Sequence, residues 1–175
     1  MGSGLWGEHN PELSPLVLIT THMFNALELK VPPLALVFLF GGLMWLVSVY
    51  SVFTIALPWR STFALIFYIV GSAIVLAGVL TFRRMKTTVN PLTPEATTTM
   101  VTSGIYRFTR NPMYLGFLLI LVGWAIDLSD LLTFACLPLF VWYMNRFQIL
   151  PEERALASKF SEAFILYKRS VRRWI

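Results

Sequence analysis

Two clusters of polar residues in this chain have the types and spacing to do chemistry. The first is Ser103-Gly-Ile-Tyr106-Arg107-Phe-Thr-Arg110-Asn111-Pro112-Met-Tyr114-Leu-Gly116, which sets two arginines and two tyrosines directly against a long apolar run. A segment that only crossed a bilayer would not need so particular a polar entrance. Pro112 suits the first position of a helix, and Asn111 before it has the side chain to cap the free amide groups. That accounts for Asn-Pro but not for Tyr106, Arg107, Arg110 and Tyr114. A helix amino terminus with unpaired N–H groups attracts carboxylates, and Arg110 strengthens that attraction. A second use stays open, with the arginines on lipid phosphates and the tyrosines in an interfacial belt.

The second cluster is Arg146-Phe-Gln148-Ile-Leu-Pro151-Glu152-Glu153-Arg154. Its carboxylates follow a proline at a helix start, where negative side chains favour the dipole, so a structural role needs no ligand. The same carboxylates would lie on one rim with Arg110. An acidic pair and a basic pair on one rim can clamp an amino-acid zwitterion.

Other chemistries are disfavoured. His9 and His22 are the histidines of this chain, so the body from Phe24 to Ile175 has no imidazole, and Cys136 is the sole cysteine. No ligand set for zinc, haem or an iron–sulfur cluster follows, and no metal is expected. Cys136 reads as a packing residue with no disulfide partner in the chain. The apolar spans carry no ionisable group in their interiors until Arg146, which argues against an ion transporter.

The elements that position the two clusters are membrane helices. Of the 175 residues, 57% are apolar and 13% charged, and the mean hydropathy is +0.69, outside the range of ordinary soluble domains. Spans are expected at about 34–57, 62–82, 112–127 and 131–150, arranged as two antiparallel hairpins in an all-α integral membrane fold. The third is short for a full crossing, at roughly 24 Å. Gly41-Gly42, Gly71 and Gly78 read as close-packing points between helices. Residues 152–174 form an amphipathic helix: Leu156, Phe160, Phe164, Tyr167, Val171 and Trp174 share one face, and Lys159, Glu162, Lys168, Arg169, Arg172 and Arg173 lie between them. That helix lies in the headgroup region or folds over the site as a cover.

Charge placement orients the bundle. An up-and-down arrangement puts 13 of the 14 Lys and Arg residues on one side, with Arg60 alone on the other beside Asp127 and Asp130. The positive-inside rule makes that side cytoplasmic, with both termini there, in a multi-pass protein of a bacterial-type inner membrane. The net charge of +5 then reflects this bias and attraction to membrane lipids, not nucleic acid. Residues 1–22 are polar and rich in turn formers, and His22-Met23 has the look of a cloning junction. They are set aside as a cloning-derived or mobile tail, with a short interfacial helix through Leu16 to Ile19 as the alternative and a cleaved secretory signal disfavoured because no basic segment precedes the apolar one, and residues 23–175 are taken as one domain.

Tyr106-Arg-Phe-Thr-Arg110-Asn-Pro-Met-Tyr114-Leu-Gly116, a hydrophobic hairpin, Ile149-Leu-Pro-Glu152-Glu153 and Phe160-Ser-Glu-Ala-Phe-Ile-Leu-Tyr167 together resemble the isoprenylcysteine carboxyl methyltransferase family and its bacterial relatives, including phospholipid methyltransferases. The resemblance covers roughly residues 83–175. It implies an integral membrane enzyme that transfers the methyl group of S-adenosylmethionine to a lipophilic small-molecule or lipid-modified acceptor. In that family an Arg-His-Pro-x-Tyr segment and an acidic pair surround the cofactor. Carried over, these are Arg110, Pro112, Tyr114, Glu152 and Glu153, with Tyr106 and Asn111 beside them. Two departures stand out: Asn111 replaces the usual histidine, and Gln148 stands where an arginine often precedes the acidic pair.

Methyl transfer from a sulfonium is an in-line displacement that depends on alignment more than on acid or base groups. A carboxylate or thiolate acceptor neutralises charge as it reacts, so partial desolvation helps it. An amine acceptor has to lose a proton, with a glutamate or water as the base. The anionic or thiol acceptor is favoured, with Arg146 as the residue that orients it and Glu153 as the catalytic glutamate. Asn90, in the hydroxyl-rich stretch from Thr87 to Thr99, is a further cofactor-loop candidate. Two other readings are a nicotinamide-dependent membrane reductase of related architecture and a non-catalytic scaffold whose basic rim binds lipid.

Overall fold

Prolines set where the long helices begin. In the computed structural model, which describes residues 28–85 and 100–175, helix α1 (Pro33–Tyr50) starts on Pro32-Pro33, where the missing N–H costs nothing. Its expected extension to Leu57 does not occur. The Ser51 hydroxyl accepts from the Phe53 amide at 3.1 Å, and residues 53–55 turn extended because another loop offers them partners. The Ile55 amide donates to the Ser129 carbonyl at 2.8 Å and the Leu131 amide to the Phe53 carbonyl at 3.0 Å. Paired extended backbone satisfies the same groups that a longer helix would.

Helix α2 (Arg60–Arg84) follows Trp59, a left-handed residue at φ 61°, and closes on Arg83 and Arg84, where cations suit the helix dipole. Both α1 and α2 are long and apolar enough to cross a membrane, and little of either is buried. Phe38, Trp45, Ile69 and Leu76 all point outward. In water such a surface would aggregate, whereas hydrocarbon suits it and the helices satisfy their own backbone.

Helix α3 (Pro112–Leu128) is shorter and lies between them. The expected tight pairing of the first two spans does not form: α2 packs along α3, α1 packs on α3 from another side, and α1 and α2 share little direct contact. Glycines explain the α2–α3 seam. A Cβ on Gly71 would stand 2.7 Å from the Gly116 carbonyl oxygen, and one on Gly116 would stand 2.6 Å from that of Gly71. Gly78 meets Met113, and Gly123 meets Tyr68, at similar range. Gly71 and Gly78 are close-packing points, as expected. Gly41 and Gly42 are not, since nothing lies within 4 Å of either Cβ position.

Beyond α3 the expected fourth span, 131–150, is built in three pieces. A 3₁₀ turn at Leu131–Ala135 is capped by Asp130, whose carboxylate accepts from the Leu132 amide; helix α4 (Cys136–Tyr143) and a π turn at Met144–Ile149 follow. Helix α5 (Leu150–Ser170) continues without a break, so the span and the amphipathic helix expected at 152–174 are one run, kinked at Ser161. The helix ends at Ser170 because Val171 turns extended, leaving Val171–Ile175 as a strap. The core joins Leu36, Phe40 and Met44 of α1, Tyr114 and Leu121 of α3, and Phe140 and Met144. Phe40 and Phe140 meet edge to face at 5.3 Å. The described residues are helical apart from loops, turns and one isolated bridge between Thr54 and Asp130. The tail at 1–22 and the 87–99 stretch with Asn90 lie outside them.

Candidate functional site

The site is assembled where the amino end of α3 meets the first turn of α5. A 3₁₀ turn at Gly104–Arg107 leads into α3. Gly104 has φ +60° and a Cβ there would press on Thr81 of α2 at 3.0 Å, so glycine is needed on both counts. The turn buries Tyr106 edge-on to Phe82 at 5.2 Å. From α5, the Tyr167 hydroxyl donates to the Tyr106 carbonyl at 2.7 Å. Burial pushes the Tyr106 phenol well above its ordinary value and Tyr167 to about 12, so both stay neutral donors.

The next three residues are stitched to the carboxyl-terminal strap. The Arg110 amide donates to the Arg172 carbonyl at 3.0 Å, and the Thr109 hydroxyl and the Asn111 side-chain amide donate to the Arg173 carbonyl at 3.2 and 3.1 Å. Asn111 therefore does not cap α3 as expected, because its side chain is drawn off by the strap. The strap thus folds back onto the residues that lead into α3.

Arg110 reaches across to α5. Its guanidinium donates to Glu153 at 2.8 Å and to the carbonyls of Lys168 and Val171, while its Nε is buried without a hydrogen-bond partner. Arg173 forks onto the same carboxylate at 3.1 and 2.8 Å, and the Lys168 ammonium lies 3.4 Å from it. Burial works against the Glu153 charge, but hydrogen bonds from Arg173 and Arg110 outweigh it and hold the carboxyl below the ordinary range. Glu153 is thus a saturated hub: three cations share it and it is ionised throughout the neutral range.

Its neighbour Glu152 is different. The Tyr114 hydroxyl donates to it from α3, and no ion pair to it is found among the described residues. Burial pushes its carboxyl up to about 8; the Tyr114 hydrogen bond opposes the shift and the Glu153 charge adds to it. One carboxylate is fixed and charged while the other titrates near neutrality, and environments that split a pair this way are a mark of functional sites.

The structure therefore brings together Arg110, Asn111, Pro112, Tyr114, Glu152 and Glu153, with Tyr106 joined through Tyr167. Arg146 belongs to a different contact set, forming an ion pair with Glu28, which also holds Arg154. Gln148 is fully buried, its amide nitrogen donating to the Val31 carbonyl at 2.8 Å. Sequence reasoning missed Arg173, Lys168, Thr109 and Asn145. Arg173 and Lys168 read as the solvated face of a helix, and nothing local marks Val171 as its end. Asn145 accepts from Arg173 and Trp174, a contact that needs the strap to fold back.

The profile of the phospholipid methyltransferase family matches residues 59–163. An uncharacterized protein of Haemophilus influenzae is 43% identical over 63 residues, 36% of this chain and all of its own length. Protein-S-isoprenylcysteine O-methyltransferase A of Arabidopsis thaliana is 33% identical over 168 residues, 94% of this chain and 78% of the relative. Protein-S-isoprenylcysteine O-methyltransferase B of the same plant is 28% identical over 113 residues, 65% of this chain and 57% of the relative. No solved structure matches the chain.

Proposed function

The chain belongs to the phospholipid methyltransferase family and is a methyltransferase, and we propose that it transfers a methyl group from S-adenosylmethionine to a lipophilic acceptor at the cytoplasmic rim of a four-span bundle. The observation that carries this reading is the pairing of Tyr114 with Glu152 beside the Arg110–Glu153 pair, at the mouth of an apolar helix. These groups fit the amino-acid end of the cofactor. The unpartnered Arg110 Nε and the first-turn amides of α3 suit a carboxylate. Glu152, with no cation paired to it, suits an ammonium. When bound, S-adenosylmethionine supplies a methyl group on a sulfonium, ready for displacement.

The chain's own residues bind and align. Glu153 is a positioning residue, because its three cations leave no capacity for proton transfer and fix Arg110 against α5. Asn111 and Thr109 hold the strap over the mouth, which limits water. A carboxylate or thiolate acceptor needs no base here, and its electron pair forms the bond to carbon as the carbon–sulfur bond breaks. For an amine acceptor the proton passes to water at the rim, because Glu152 is taken up by the cofactor's ammonium and Glu153 by its three cations. Arg146, on the Glu28 side of the rim, orients the acceptor's head.

Titrating S-adenosylmethionine into detergent-solubilised protein tests the reading. Saturable binding weakened at least tenfold by Arg110→Ala and Glu152→Gln is expected. A folded protein with no saturable binding overturns it.

A further inference from the structure

A buried guanidinium nitrogen without a partner is costly, and Arg110 Nε is one. A ready partner lies beside it. Arg110 already donates through Nη2 to Glu153 Oε1 at 2.8 Å, and an arginine next to a carboxylate commonly takes both oxygens in a fork. Arg173 prevents that here. Its Nε and Nη2 hold the two Glu153 oxygens at 3.1 and 2.8 Å, which leaves Arg110 a single bond to the carboxylate and its Nε free.

The Arg173 fork is itself held from a third element. Its remaining nitrogen, Nη1, donates to Asn145 Oδ1 at 3.3 Å, and the Trp174 indole N–H donates to the same oxygen at 3.2 Å. One side-chain oxygen thus fixes two consecutive residues of the strap, and each nitrogen of the Arg173 guanidinium is engaged. Asn145 lies in the π turn at Met144–Ile149, a distortion that often accompanies functional positions. The strap lies beyond Ser170, the last residue of α5, so no helix geometry dictates where Arg173 points. Contacts of this kind do.

We propose that Asn145 is a positioning residue for the methyl donor: through Arg173 it keeps Glu153 from forking onto Arg110, and so keeps Arg110 Nε open for the donor's carboxylate. The inference rests on the reading of Arg110 as that carboxylate's partner. Asn145 itself touches no reactant. When its oxygen is removed, Arg173 is released, Glu153 turns both oxygens onto Arg110, and an incoming carboxylate meets an occupied guanidinium edge. The loss falls on the carboxylate and spares the other contacts of the cofactor.

The test titrates the full chain in detergent with S-adenosylmethionine and with decarboxylated S-adenosylmethionine, which lacks only the carboxylate. In Asn145→Leu the first should bind about tenfold more weakly, the factor for one hydrogen bond to a charged group, while binding of the second is unchanged. Asn145→Ala, a milder change, should give the same selective loss. Asn145→Asp keeps an oxygen for both donors and should restore binding. Equal weakening of the two ligands, undiminished S-adenosylmethionine binding in a folded variant, or failure of Asn145→Asp to restore it would overturn the proposal. Unfolding of both the leucine and the alanine variants would mark Asn145 as structural and overturn it as well. No saturable binding of S-adenosylmethionine to the unaltered protein would instead strike at the underlying reading.

Discussion

The Tyr114 hydroxyl donates to the Glu152 carboxylate and so ties the first turn of α3 to the first turn of α5. The bond favours the ionised carboxylate and opposes the burial that pushes Glu152 up to about 8. Tyr114→Phe should therefore raise the Glu152 midpoint further, by about one pH unit. If the ammonium of the cofactor meets the ionised carboxylate, affinity is bell-shaped: it rises as Glu152 ionises and falls as the ligand's own α-ammonium loses its proton at about 7.7–8.0, so in the variant the rising limb moves to higher pH and the peak affinity drops. Binding isotherms between pH 6 and 10 would reveal this, and superimposable curves would refute it.

The same shift has a sign for stability. A carboxyl whose folded value lies above its unfolded value of about 4.3 stabilises fully below that pH and loses the contribution as pH rises toward about 8. Glu153 runs the other way, its contribution present above the ordinary carboxylate range and lost in acid. Thermal unfolding in detergent should show Glu152→Gln flattening the decline between about pH 5 and 8, with acid lability retained.

Arg110 and Glu153 are a buried pair, their side chains 10% and 8% exposed. Glu153→Gln leaves Arg110 and Arg173 without a countercharge, and a loss of about 3–5 kcal/mol is expected, as for other broken buried pairs. Arg154→Ala, at the exposed end of the Glu28 network, should change stability by less than about 1 kcal/mol. Comparing the two by denaturant unfolding checks the assignment of Glu153 as the hub.

Gly116→Ala would drive its methyl to 2.6 Å from the Gly71 carbonyl, a backbone atom that cannot swing away. Overpacking of this kind costs about 1–3 kcal/mol. Gly41→Ala meets nothing and should gain up to about 1 kcal/mol from helix propensity. Opposite shifts in melting temperature are expected, and equal shifts would contradict the packing described.

Removing residues 172–175 deletes the carbonyl partners of Thr109, Arg110 and Asn111 and one fork on Glu153. At about 1 kcal/mol for each hydrogen bond, the α3 mouth should loosen while the α2–α3 seam holds. Hydrogen exchange at residues 106–115 should rise, with residues 64–78 unchanged.

Much of this was legible in the chain itself. The start of α3 at Pro112 and the place of α2, expected at 62–82 and found at Arg60–Arg84, follow from proline chemistry and from apolar runs bounded by charge, which act locally. The meeting of Arg110 with the acidic pair was also readable, because two motifs of opposite charge flank one hydrophobic stretch and must return to one rim. The end of α1 at Tyr50 was not readable. It depends on backbone groups of residues 129–131, remote in sequence, that offer the Phe53–Ile55 segment an alternative to the helix.

Sequence alone determined the apolar solvent, the family motif and the residue types at the site, since each is a property of composition or short-range spacing. Tertiary structure decided how the charges are divided. Both glutamates look alike in the chain, yet the strap's return delivers Arg173 to Glu153 and leaves Glu152 to Tyr114. It also decided which glycines are seams and which are open, because a missing Cβ has meaning only once a neighbour, or empty space, stands opposite it.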